Sequence, residues 1–252
     1  MRSSLLLLLA VLLATSCVPN PPPSTVAISH NDACTVALNA GNCKAATAHC
    51  DHALEFSPNY PEALINKGLI ALRCDNDKKA AREFLVRALR LNNESAQAYN
   101  NLGNLDLEDE DYGTAEQRFL RALKVNPDYH EARFNLARTY LALKKPKEAE
   151  RHLRQILASE PSIADAQNLL GVVLLEAGEL TEALTHFDAA VLLDPNHPGY
   201  RFNRGVAYAK AGRLEEAKEE FRACLALQPD SVDCRHNLEL ISKGAVTQPA
   251  SR

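Results

Sequence analysis

The stretch His49-Cys50-Asp51-His52 puts four groups able to bind a metal or carry a proton in consecutive positions. On a helix, His49 and His52 would share a face, with Cys43 about a turn and a half away. Imidazole and thiolate so placed suit a borderline cation such as zinc. No Cys-x-x-Cys pair accompanies them, and Cys50 falls where a buried residue is needed, so no metal site is expected. The eight histidines are otherwise scattered, with no Ser/His/Asp set and no glycine-rich phosphate loop. Catalysis and a bound cofactor are therefore not expected. The remaining reactive groups are the cysteines, and of the seven Cys17 stands apart.

Cys17 ends an apolar run, Leu5 to Ala14, that follows the single early charge of Arg2. That run is about half the ~20 residues a membrane-crossing helix needs, which suits a secretory signal. Leu13-Ala14-Thr15-Ser16-Cys17 resembles a bacterial lipobox. The resemblance implies cleavage before Cys17, diacylglycerol on its thiol and an acylated amine, hence attachment to a membrane through acyl chains. Position 18 is Val rather than the Asp of inner-membrane retention, so the expected address is the outer membrane, with the folded part in the periplasm. Residues 1–16 are thus read as signal peptide and 17–26 as lipidated cysteine and tether. The tether "VPNPPPSTV" favours extended polyproline II, about 3.1 Å per residue. A net charge of −4 gives no reason to expect nucleic acid as a partner, and no small-molecule substrate is expected.

The elements that must carry these residues follow from a repeat. Pro127, Pro161, Pro195 and Pro229 lie 34 residues apart. At fixed offsets before them come Ala115, Ala149, Ala183 and Ala217, then Phe119, Leu153, Phe187 and Phe221. Gly103, Ala137, Gly171 and Gly205 recur earlier in each unit. This resembles the tetratricopeptide pattern: two antiparallel helices crossing at small residues, a large apolar residue over the crossing, and a proline after the second helix. The fold class expected is all-α, a right-handed solenoid of six hairpins at 27–60, 61–95, 96–129, 130–163, 164–197 and 198–231. A capping helix at 232–243 and a disordered tail at 244–252 follow. The second unit has one extra residue in the inter-helix turn "RCDNDKK", and Asn93 replaces its terminal proline. Asp106, where Tyr or Leu is usual, reads as part of a solvated turn or as a contact for a basic partner.

On this frame six cysteines read as staples. Cys34 and Cys50 face each other in the first hairpin, Cys224 and Cys234 join the last repeat to the cap, and Cys43 and Cys74 lie on neighbouring turns. Six cysteines allow 15 pairings, and Cys also fills small buried slots unbonded.

The first helix of each unit should line the inner face, with a partner-binding groove formed by Ile65, Leu69 and Leu72, by Asn100, Asn104 and Leu107, by Phe134, Arg138 and Leu141, by Asn168, Val172 and Leu175, and by Phe202 and Val206. Part of this apolar lining can instead be covered by the superhelix itself. The Lys/Arg clamp of chaperone-binding relatives is not expected, because its positions hold Asn31, Ile65, Asn100, Glu62 and Glu131.

Taken whole, the chain resembles the type IV pilus biogenesis lipoproteins PilF, PilW and Tgl, most of all Tgl. The resemblance rests on the lipobox at Cys17, the short tether, six repeats and the cap. It implies a pilotin: an outer-membrane lipoprotein whose protein partner is the pilus secretin, which it helps to insert and multimerise. Two other roles stay open, a scaffold or regulator of peptidoglycan enzymes and an accessory of outer-membrane β-barrel assembly.

Overall fold

The computed structural model describes residues 21–244. The expected signal segment, Cys17, the first tether residues and residues 245–252 of the tail lie outside the described residues. Among the described residues there are thirteen α-helices and no strand. They pair as α1 (Thr25–Asn39) with α2 (Cys43–Phe56), α3 (Pro61–Arg73) with α4 (Lys78–Leu91), α5 (Ala96–Glu108) with α6 (Tyr112–Val125), and α7 (His130–Ala142) with α8 (Pro146–Ser159). The series continues with α9 (Ala164–Ala177) and α10 (Leu180–Leu193), α11 (Pro198–Lys210) and α12 (Leu214–Leu227), and the single α13 (Val232–Ser242). Helices α1–α4 form one compact unit, through Asn93, and α5–α13 a second, from Glu94.

Local chemistry sets the helix ends. Ser24, Asn42, Asp77, Ser95, Asp111 and Ser231 each accept a hydrogen bond from the backbone N–H three residues on, satisfying a donor the helix leaves free. Pro61, Pro146 and Pro198 open helices where no N–H is needed. The cap at Ser24 also corrects the tether expectation: Thr25 and Val26 are helical, because the Ser24 hydroxyl bonds Ala27 N at 3.1 Å and starts α1. Between the two helices of each repeat one residue turns left-handed: Gly41, Asn76, Glu110, Lys144, Gly178 and Gly212. The α3–α4 turn is one residue longer than the α5–α6 turn, where the extra residue of the second repeat falls.

Helices of a pair cross at a small residue covered by a large one. A Cβ placed on Gly103, Gly171 or Gly205 would lie 2.7–2.8 Å from the ring of Phe119, Phe187 or Phe221 respectively. All three rings are fully buried, and in the fourth repeat Ala137 is accompanied by the smaller Leu153, also fully buried. In the second unit one continuous core runs from Ala115 to Ile241. The first hairpin has a poorer core, its buried apolar groups being mostly Ala and Cys, with Leu38.

Repeats are also tied by polar groups at a constant spacing. Asn66 Nδ2 donates to Asn31 Oδ1 at 2.8 Å, Asn135 to Asn100 at 3.2 Å, and Asn203 to Asn168 at 2.9 Å. Arg133, Gln167, Arg201 and Arg235 each donate to the proline carbonyl six residues earlier, fastening the turn between repeats.

Candidate functional site: a groove in the second unit

The three disulfides lie at the chain's described ends. Cys34–Cys50 joins α1 to α2 with Cα atoms 5.4 Å apart. Cys43–Cys74 ties the start of α2 to the end of α3, and Cys224–Cys234 ties α12 to the cap α13. The sulfurs of Cys43 and Cys50 are therefore not free ligands. Asp51 pairs with Lys67 at 2.7 Å, and His52 faces Glu55 at 3.2 Å. The fold brings His30 beside His49, with their Nδ1 atoms 3.4 Å apart. Among the described residues, no three ligand-type side chains are placed to hold a metal ion.

Asp106 is neither solvated nor open to a partner. It sits in the last turns of α5, 3% exposed, and its carboxylate accepts a bond from Arg118 Nε on α6. The helix continues to Glu108, two residues past Asp106, so the side chain is carried inward against α6 instead of into the turn.

The expected groove residues divide. Ile65 and Asn100 are buried, at 2% and 0% exposure. Asn100 is consumed by the ladder: besides accepting from Asn135 it donates to Glu131 at 3.0 Å. Asn168 likewise accepts from Asn203. Leu69 packs on the Cys34–Cys50 cluster and Leu72 is half-buried. Asn104, Leu107 and the exposed Arg138 line a polar recess of 330 Å³ with Glu108, Glu131 and Asn135. Phe134 lines a separate apolar recess of 240 Å³, against Ile156 and Ile163. Phe134 and Leu141 line different recesses: the first packs toward the end of α8 and the second faces α9 and α11.

A groove of 560 Å³ is lined by Leu141 of α7, Val172 and Leu175 of α9, and Phe202 and Val206 of α11. Leu175, Phe202 and Val206 are less than a tenth exposed, so they form its floor more than a free surface. Phe202 is held from behind by Phe221, with ring centroids 5.8 Å apart. Lys144, Pro146, Glu176, Asn203 and Lys210 make the rim, which the expected list did not contain. The floor is rigid because each of its helices is locked onto its partner at Ala137, Gly171 or Gly205. An apolar floor with a few polar rim groups is the usual make-up of a surface that takes an apolar ligand segment.

Nearby ionisable groups serve the scaffold. Burial, reinforced by the positive Arg151 and Arg133, pushes His152 down to about 4; its ring stacks on Tyr140 with centroids 5.5 Å apart. Burial and the neighbouring Glu131 carboxylate push Tyr129 up to about 12. Arg204 and Glu220 form a mostly buried pair at 2.6 Å between α11 and α12.

Paired helices crossing at Gly or Ala, a 34-residue period and a groove lined by first helices define a tetratricopeptide-repeat protein. Three tetratricopeptide-repeat family models match residues 94–159, 136–199 and 170–241. The chain is an all-α tetratricopeptide-repeat protein. Among solved structures it is similar to PilF of Pseudomonas aeruginosa, at 21% identity and TM-score 0.77, over 86% of this chain and 97% of that one. PilW, a widely conserved type IV pilus biogenesis factor, is similar at 21% identity and TM-score 0.73, over 84% of this chain and 98% of that one. YrrB, a repeat protein with an unusual peptide-binding site, is 28% identical at TM-score 0.60, over 77% and 97%. No curated protein matches the chain.

Proposed function

We propose that this protein is a lipid-anchored adaptor of type IV pilus biogenesis, a pilotin that promotes assembly and outer-membrane insertion of the pilus secretin. The observation that carries the reading is an apolar groove on an array whose fold extends over most of PilF and PilW. In this reading Cys17 carries the acyl chains, the proline tether sets the repeats off the lipid surface, and the groove holds a segment of the secretin. No helix of the described residues is long and apolar enough to cross a membrane, so attachment would rest on the acyl chains.

Deletion of the gene tests it. The expected result is secretin monomer without its heat- and detergent-resistant multimer, and loss of pili and pilus-driven motility. Cys17→Ala should lose fatty-acid labelling and mislocalise. Normal secretin multimers combined with altered cell shape or wall-drug sensitivity would instead support a peptidoglycan role. Normal multimers with poorly inserted β-barrel proteins would support the barrel-assembly role.

A further inference from the structure

The rim of the groove carries charge in a fixed order. Lys144 lies in the turn after α7, Glu176 in the last turn of α9, and Lys210 at the end of α11. All three are exposed, and among the described residues none has an ion-pair partner. By contrast, the adjacent Lys145 pairs with Glu116, and Arg204 with Glu220. The lip therefore reads plus, minus, plus across three successive first helices, on a chain whose net charge is −4.

Lys144 takes the left-handed position of its turn at φ +59°, as Asn76 and Glu110 do in the two preceding repeats and Gly178 and Gly212 in the two following. What sets it apart is its place: it is an exposed cation on the groove lip, able to meet a carboxylate of a bound segment.

We propose that the groove takes an extended, apolar segment of a partner protein flanked by a carboxylate at each end, with no acidic residue between them. Neighbouring helix axes lie about 8–10 Å apart, so two spacings separate the lysines by about 20 Å. An extended chain covers this in about six residues at roughly 3.3 Å each. Apolar side chains meet Leu141, Val172 and Phe202, the flanking carboxylates meet Lys144 and Lys210, and Glu176 repels a central acid. This rests on the groove being the partner site, as proposed above.

Fluorescence anisotropy with the full chain decides it. The probes are labelled Glu-Leu-Val-Gly-Phe-Leu-Glu, its version with Lys at both ends, and a version with Glu in place of the central Gly. The acid-flanked peptide should bind at least ten-fold tighter than the other two, and its advantage should shrink between 0.05 and 0.5 M salt. Lys144→Glu with Lys210→Glu, both at exposed positions, should reverse the order of the Glu- and Lys-flanked peptides. An unchanged order overturns the charge assignment. If Val172→Asp then still abolishes binding of every peptide, the groove survives as the partner site and only the ligand's chemistry is wrong. If Val172→Asp, with an unchanged circular dichroism spectrum, leaves binding intact, the groove itself is the wrong surface.

Discussion

Gly171→Ala should destabilise the second unit, and adding Phe187→Leu should not make it much worse. The new Cβ would lie 2.7 Å from Phe187 Cε1 and 2.8 Å from Cδ1. Relaxed carbon contacts are about 3.5–4.0 Å, so the overlap approaches 1 Å against a fully buried ring with nowhere to swing. Overpacking of this kind costs about 1–3 kcal/mol, while Ala in place of Gly in a helix returns about 0.8–1.0. The net loss is about 1 kcal/mol. Phe187→Leu alone removes roughly two methylene equivalents, about 1.5 kcal/mol. Simple addition would give about 2.5 for the pair. But an Ala with a Leu at these two positions is what the fourth repeat already has in Ala137 and Leu153. With the clash gone, only the lost packing less the helix gain remains, about 0.7 kcal/mol, so the coupling is about 2 kcal/mol. Urea unfolding with amide exchange across α9 and α10 reads this locally, which suits an array that need not melt in one step. Gly171 also precedes Val172 in the groove, so the single variant should weaken peptide binding and the double variant restore it. A neutral single variant, or a double variant at the sum of its parts, would refute the packing argument.

Acid should weaken the second unit through His152: the unfolded chain takes its proton near 6.5 and the folded chain only near 4. Its contribution is complete above about pH 6.5 and falls by about 3 kcal/mol as pH drops to 4, a slope that His152→Phe should remove in urea titrations at several pH values. The six cysteines of the repeats and cap should resist alkylation until a reductant is added. Replacing Cys34 and Cys50 together by Ala should cost about 3 kcal/mol, measured by thermal melting of the first unit, since the bond closes a loop of 16 residues. Asp106→Asn should cost about 2 kcal/mol by leaving Arg118 without its charged partner; an unchanged urea midpoint would contradict the burial described for that pair.

The helices were legible because their causes are local and periodic. The 34-residue spacing of Pro127, Pro161, Pro195 and Pro229, small residues at the crossings and Ser, Asp or Asn before six of the described helices all act within one hairpin. Asp106 was misread for a reason of the same scale. Its neighbours Glu108, Asp109 and Glu110 are exposed and acidic, but the helix phase carries this one carboxylate inward to Arg118.

The groove was only half legible, because a rule of position says where a side chain starts and not what claims it. Asn100 and Asn168 occupy inner-face positions, yet both are spent on the next repeat. The signal was present: Asn31 and Asn66, Asn100 and Asn135, Asn168 and Asn203 are all 35 residues apart, one more than the repeat. That offset is what a ladder between adjacent first helices produces, and it separates scaffold amides from ligand-reading ones. The rim was missed for the opposite reason. Lys144 is in a turn and Lys210 ends a helix, so neither stands in the apolar stripe of a first helix, and only the folded chain sets them beside Leu141, Val172 and Phe202. The inner face is therefore mostly used to hold the repeats together, and what is left for a partner is an apolar floor across three helices with its selectivity at the helix ends.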